Sequence, residues 1–533
     1  MKKRIIAISF LIGALQFSCS DDFDALNTDP TKASSSTFDP NLLLPTSQWT
    51  YVNAYSGYNG PILFQSMWAQ VYASTTSGAA NYYTNADKYV ISGNTNDYQG
   101  RTWNEGFKAA SFAYEMEQLT KGNPAQVNLN SIAIIMQAQC LATVSDIYGD
   151  IPYTQALQGK AGTSLPVYDT QESIYKSLLS RLETATAALS TSALVPSNDA
   201  FAYKGDVAKW KRFGYSLMLK LAMRLTKVDA ATAKTYAEKA AAGGVFSSVA
   251  DDAYVVADNA NNYGNGNGAA LSTAADVYQV RWSKTMIDYL KANEDPRLSV
   301  VAEVPASGLA ANQDMTIAGN TAPAAQLGLP NGYDLNGGAT DITKSPGYPG
   351  GTGTGGDVTP IGKYSRPTLL FRSRNAPLFV LTYAETELLL AEAATRGFAV
   401  TGSAAQHYKN GVAAGIQSLA KFGTAATIDA ATATAYADAH PLVAANALKQ
   451  INEQYWATTG LLQNFGEAWN NWKRSGFPQL TPVNYTGNFS NGTIPRRQPY
   501  PTTEATLNTA NYQSATGRLA SGDNWVSRVW WDK

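Results

Sequence analysis

Histidine and cysteine are nearly absent, with two of each in 533 residues: His407 and His440, Cys19 and Cys140. The two histidines stand apart in alanine-rich surroundings and no HExxH occurs, which leaves little for a histidine-based triad or a multi-histidine metal site. Two cysteines make no disulfide framework, and a chain of this length needs none to close a core. Charge is also sparse, at 15% of residues, and 40 basic against 41 acidic side chains give a net charge of −1. That balance lacks the electrostatic footprint of a nucleic-acid binder. The N-terminal apolar stretch, residues 5–15, is too short for a membrane span, since a roughly 30 Å hydrocarbon core takes about 20 helical residues. The glycine run 347–356 lacks the lysine and hydroxyl pair of a phosphate loop. Gly264, Gly266 and Gly268 alternate with Asn265 and Asn267 without the carboxylate spacing of an EF-hand. Calcium is therefore the lesser option, and no cofactor is expected.

Aromatic rings are what the chain has in quantity, with 30 tyrosines and 11 tryptophans. Such rings suit large binding surfaces because they combine apolar area with a polar handle. At the N-terminus, Lys2, Lys3 and Arg4 precede the apolar stretch and Ser18 precedes Cys19, the layout of an export signal over residues 1–18. Cys19 at this position resembles the acylated cysteine of bacterial lipoproteins, with Gln16 standing where leucine is usual. Ser20, Asp21, Asp22, Phe23 and Asp24 resemble the acidic tag that sends lipoproteins of Bacteroidota to the outer face of the outer membrane. Residues 19–45, rich in Asp, Asn, Thr, Ser and Pro, read as a tether.

Helical periodicity dominates from there. Ile132, Ile135, Met136 and Cys140 follow helical spacing up to a turn at Gly149, and Cys140 falls among apolar residues as a buried thiol. Asp169 or Thr170 can cap a helix with Ile174, Leu178, Leu182 and Ala185 on its buried stripe. Residues 207–225 form another, with Trp210, Phe213, Leu217 and Leu221 on one face. Asp229 caps its partner, which stops at Gly243 and Gly244. Residues 381–396, 403–419 and 442–459 repeat the layout. These pairs resemble degenerate tetratricopeptide-type repeats, so the expected fold is mostly α, one domain over residues 46–533. Periodicity weakens over about 251–370, where Gly, Asn, Asp, Pro and Tyr predict loops that face a ligand.

Several segments in order resemble the SusD/RagB family of nutrient-binding outer-membrane lipoproteins. They are residues 146–153; Tyr168 and Asp169; Gly205 and Asp206 with Trp210 and Arg224; residues 295–297; Tyr383, Ala384 and Glu385 with Glu392; Trp469 with residues 472–478; Arg496 and Arg497; and Trp530 and Trp531. Most of these motifs have a structural reading: Glu385 and Glu392 share a helix face, and pairing with arginines such as Arg224 or Arg474 is favoured over a catalytic carboxylate pair. Trp469 and Trp472 are read as packing knobs. The resemblance implies a non-enzymatic lipoprotein that binds an oligosaccharide, with peptide as the alternative cargo, and delivers it to a SusC-like TonB-dependent transporter. A surface glycoside hydrolase and a structural or adhesive surface protein are the rival readings. Ligand-stacking rings are sought in two regions: Trp68, Tyr72, Tyr82 and Tyr83 near the N-terminus, and Tyr263, Tyr333 and Tyr348 in the middle segment.

Overall fold

Side-chain caps set where the helices begin. In the computed structural model, which describes residues 38–76, 82–90, 98–272, 280–305, 316–351, 360–490 and 492–533, Thr170, Asp206 and Asp229 each accept a backbone N–H from the first turn that follows. Each satisfies a donor that the helix itself leaves unpaired. Cys19, the export signal and most of the tether lie outside the described residues.

The longer helices, with one short one, are α1 (Leu43–Ala54), α2 (Tyr82–Asp87), α3 (Arg101–Thr120), α4 (Val127–Tyr148), α5 (Gln171–Ala188), α6 (Val207–Arg224), α7 (Ala230–Gly243), α8 (Lys284–Ala292), α9 (Tyr383–Thr395), α10 (Ala404–Gln417), α11 (Ala430–Ala439), α12 (Ala447–Leu461) and α13 (Phe465–Ser475). The protein is mostly α, and consecutive helices pack side by side. The run from α3 to α7 makes one array, α9 to α11 with α12 and α13 makes a second, and α6 against α9 joins them. Glycines let backbones approach at the crossings: a Cβ on Gly214 of α6 would lie 2.3 Å from Thr186 Oγ1 of α5, and one on Gly411 of α10 would lie 2.7 Å from Leu388 Cγ of α9. Helix α4 is apolar and long enough to cross a membrane, yet 78% of its most apolar window is buried by its neighbours, which makes it the core helix of the first array.

Two expectations change. Helix α1 begins at Leu43, inside the stretch read as tether. The middle segment is also more than loop: α8 lies in it, and strand β1 (Tyr72–Ser74) pairs antiparallel with β2 (Val280–Trp282), Tyr72 opposite Trp282. Three-residue strands buried along their whole length show no alternation, so periodicity cannot reveal them.

Candidate functional site

Three of the seven rings sought as ligand contacts are core residues. Trp68, Tyr72 and Tyr83 are 1%, 0% and 0% exposed. Trp68 packs among Phe64, Trp469 and Trp525 at centroid distances of 5.3–5.6 Å. Tyr72 lies between Trp282 and Phe465 at 4.7 and 5.1 Å. The cause is tertiary: residues 65–76 are buried without a break, held between α13 and β2, so no ring there turns outward. Trp469 and Trp472 are buried too, in keeping with their reading as packing knobs.

The other rings reach the surface. Tyr82, at the start of α2, is half-buried and meets Tyr58 and Tyr98 at 6.2 and 5.8 Å, while Tyr58 meets Tyr98 edge-on at 5.6 Å. Tyr58 is 45% exposed. Tyr263, 52% exposed, stands with Trp49 of α1 at 5.0 Å and 89° between ring planes. Tyr58, Tyr98 and Trp49 were missed by sequence reading, although Tyr58 sits in Gly57-Tyr58-Asn59-Gly60, turn residues that present a side chain outward.

The loops carrying Tyr58 and Tyr263 are fastened together. Gly57 N–H donates to Asn267 Oδ1 at 3.1 Å, and a Cβ on Gly266 would fall 2.7 Å from Gly57 N, so glycine is required for the approach. Arg101 Nη2 donates to the carbonyls of Asn53 at 2.6 Å and Ser56 at 3.1 Å, fixing the chain just before Tyr58. Asn265 Oδ1 accepts from the N–H groups of Asn267 and Gly268 and its amide donates to the Ala376 carbonyl. These Gly/Asn residues thus brace backbone. Among the described residues no group of three or more His, Cys, Asp or Glu is placed to hold a metal ion. The other two sought rings, Tyr333 and Tyr348, are half-buried against the small apolar cluster of Ala73, Leu329, Ile342 and Tyr364.

The acidic residues of the motifs face inward. Glu392, fully buried, takes both Arg474 guanidinium N–H groups at 2.6 Å and Arg396 Nε at 2.8 Å. Burial alone would raise its carboxyl, but the guanidiniums hold it down at about 2. Glu385 instead closes a capping box with Thr382 and accepts from Tyr455, and burial raises its carboxyl. Arg224 pairs with Glu467 at 2.6 Å and approaches Asp146, which also accepts from Trp531 Nε1 at 2.9 Å. Lys473 Nζ donates to the Asp146 carbonyl at 2.7 Å and lies 3.6 Å above the Trp469 ring. Segments spread over some three-quarters of the chain thus meet in buried ionic contacts that make structure, and Asp146, Lys220 and Glu467 line a small internal cavity of about 20 Å³. His407 is engaged as well, its Nδ1 at 2.8 Å from Glu387 and its Nε2 at 2.7 Å from the Thr401 carbonyl.

Comparison with known proteins agrees with this architecture. A family model described as SusD-like, "Starch-binding associating with outer membrane", matches residues 32–501. A solved chitin-binding protein superposes with a TM-score of 0.78 at 30% identity, covering 93% of this chain and all of that one. A SusD-like protein of Bacteroidetes gives 0.76 at 24% identity, with 93% and 100% covered. A chitin-binding SusD homologue from Flavobacterium johnsoniae gives 0.71 at 23%, with 92% and 98% covered. No curated protein matches. With the family model spanning most of its length, the chain belongs to the SusD/RagB family.

Proposed function

We propose that the protein is a surface lipoprotein, acylated at Cys19, which binds an oligosaccharide on the Tyr58, Tyr82 and Tyr98 surface and delivers it unaltered to a SusC-like TonB-dependent transporter. The observation that carries this reading is the outward-facing set of rings on fastened loops. Ring faces stack on the apolar faces of pyranose units with little rotamer entropy to lose, and Trp49 with Tyr263 forms a second ring pair on the segments fastened through Gly57 and Asn267. Two relatives that bind chitin make β-linked N-acetylglucosamine chains the first ligand to test, and the starch association of the family makes maltose chains the second. An attached diacyl anchor would hold the protein firmly at the membrane, since two or more chains suffice where one does not.

Calorimetry with chitohexaose and maltohexaose tests the site. One of the two binds the wild-type protein, and Tyr58→Ala and Tyr82→Ala each weaken it roughly fivefold to tenfold, the size of one aromatic contact, with unchanged far-UV circular dichroism. Full affinity in both variants removes these rings from the site. Chromatography of the sugar after long incubation shows it intact; shortened products would instead establish the hydrolase reading.

A further inference from the structure

A cavity of about 520 Å³ opens beyond the far end of α2, lined by Gln70, Lys284, Asp288, Asn331, Tyr333, Thr340 and Asn484 among others. Its volume falls within the roughly 300–1,000 Å³ of small-molecule sites. Four stretches far apart in sequence form it, and hydrogen bonds brace them against one another. Gln70 Nε2 donates to the Thr481 carbonyl at 2.6 Å, and its Oε1 accepts from Thr285 Oγ1 at 2.8 Å. Asn331 donates to the Tyr72 carbonyl and to Asp87 Oδ1, and accepts from Ser283 Oγ at 2.7 Å. Gly332 N–H donates to Asp87 Oδ2 at 2.9 Å. Gly332 also has φ +87°, and a Cβ there would lie 2.5 Å from Val483 Cγ1, so the loops carrying Gly332 and Val483 touch. Lys88 and Tyr485 both bind Asp334, at 2.8 and 2.9 Å, just behind Tyr333.

Bracing consumes the amides of Gln70 and Asn331. The Tyr333 hydroxyl, the Thr340 hydroxyl and the Asn484 amide are not consumed: none of them hydrogen-bonds a described residue. The one charged pair in the lining, Lys284 with Asp288, cancels itself. The lining therefore offers a single ring with uncharged donors and acceptors on a preorganised frame, the chemistry of a neutral sugar unit rather than of an ion or a lipid. Asp87, which holds the Asn331 and Gly332 side of the cavity, is the last residue of α2, and Tyr82 of the ring surface is the first. At a 1.5 Å rise per residue their Cα atoms are about 8 Å apart along the helix, which is buried from Tyr83 to Asp87, so α2 ties the ring surface and the cavity frame to one element from beneath.

We propose that this cavity is a second saccharide subsite, which takes a neutral sugar unit of the same chain that stacks on Tyr58 and Tyr82. The inference rests on the glycan-binding reading above. Two linked subsites make affinity grow with chain length, because the second contact is intramolecular once the first has formed.

Calorimetry with a trisaccharide and a hexasaccharide of the series that binds tests this. Asn484→Ala changes an exposed side chain without touching the bracing, and Tyr333→Ala removes the ring. Each is expected to weaken the hexasaccharide about tenfold and leave the trisaccharide unchanged, whereas Tyr82→Ala weakens both. If both cavity variants keep full hexasaccharide affinity while Tyr82→Ala loses it, the cavity is no subsite and the ring surface stands alone. If the wild-type protein binds neither chitohexaose nor maltohexaose, the parent reading fails and this inference with it.

Discussion

Asp252 shows how one carboxyl ties stability to pH. Burial raises it to about 7, while it accepts from Tyr383 N–H and from Ser418 Oγ, both at 2.8 Å, with Lys421 lowering it and Asp251 raising it further. A group whose folded pKa lies above its unfolded value holds its full stabilisation below the unfolded pKa, near 4, and loses it as pH rises through about 7. Asp252→Asn removes the titration and keeps both neighbours, its amide oxygen accepting from Tyr383 N–H and its amide nitrogen donating to Ser418 Oγ. Urea midpoints across this window should therefore fall less steeply in the variant, by a difference on the order of a few kcal/mol, and parallel curves would refute the assignment. Glu392 has the opposite sign: its contribution is present above the unfolded value of 4.5 and is lost only as pH falls through about 2. Arg474→Met strips its main partner and is expected to cost about 3–5 kcal/mol at neutral pH, as does breaking a buried pair in general. That pairing was legible, because a carboxylate on a helix face and an arginine in a buried aromatic motif both need a partner. The place of Glu385 was not: the same face also starts the helix, and the cap claims its carboxylate.

Helices with polar caps and large apolar stripes could be located in the chain to within a few residues. Those from Thr170 and Asp229 begin where the caps predict, the helix read from residue 207 begins there behind an Asp206 cap seen only in the structure, and Gly149, Gly244 and Gly397 end or follow their helices at φ of 88°, 94° and 77°. Helix α3 gives a weaker signal because small residues, Gly106, Ala109, Ala110 and Ala113, fill half of its buried positions beside Trp103 and Met116. Such residues matter for approach rather than for hydrophobic pattern. At the crossing of α5 and α6, Gly214→Ala would place its methyl on Thr186 and is expected to cost about 1–3 kcal/mol, read as a lowered thermal midpoint, while Gly214→Ala with Thr186→Ala, which removes both Oγ1 and Cγ2, recovers part of the loss.

For the whole molecule, the proposal is a helical scaffold that packs most of its rings in the core, turns a few outward and pairs the charges of its family motifs inside, moored to a membrane beside a transporter. Detergent extraction of the native membrane followed by affinity capture of this chain should bring down a TonB-dependent outer-membrane protein. Cys19→Ser should abolish labelling by a fatty-acid analogue and release the protein into the soluble fraction. Capture of the chain alone would argue for the adhesive alternative, and a membrane-bound Cys19→Ser variant would argue against the anchor.

The sequence by itself determined the helical class, the order of the principal helices, the family motifs and the inward role of Glu392, Trp469 and Cys140, because periodicity, caps and buried charge are local or pairwise demands that residue types reveal. Only the tertiary structure decided which rings face outward. Tyr82 and Tyr83 are neighbours of identical chemistry, one half-buried and one with 0% exposure, and what separates them is the packing of α2 against residues 65–74 and, through Asp87, against Asn331 and Gly332. Exposure belongs to the assembled surface, and long-range contacts assemble it.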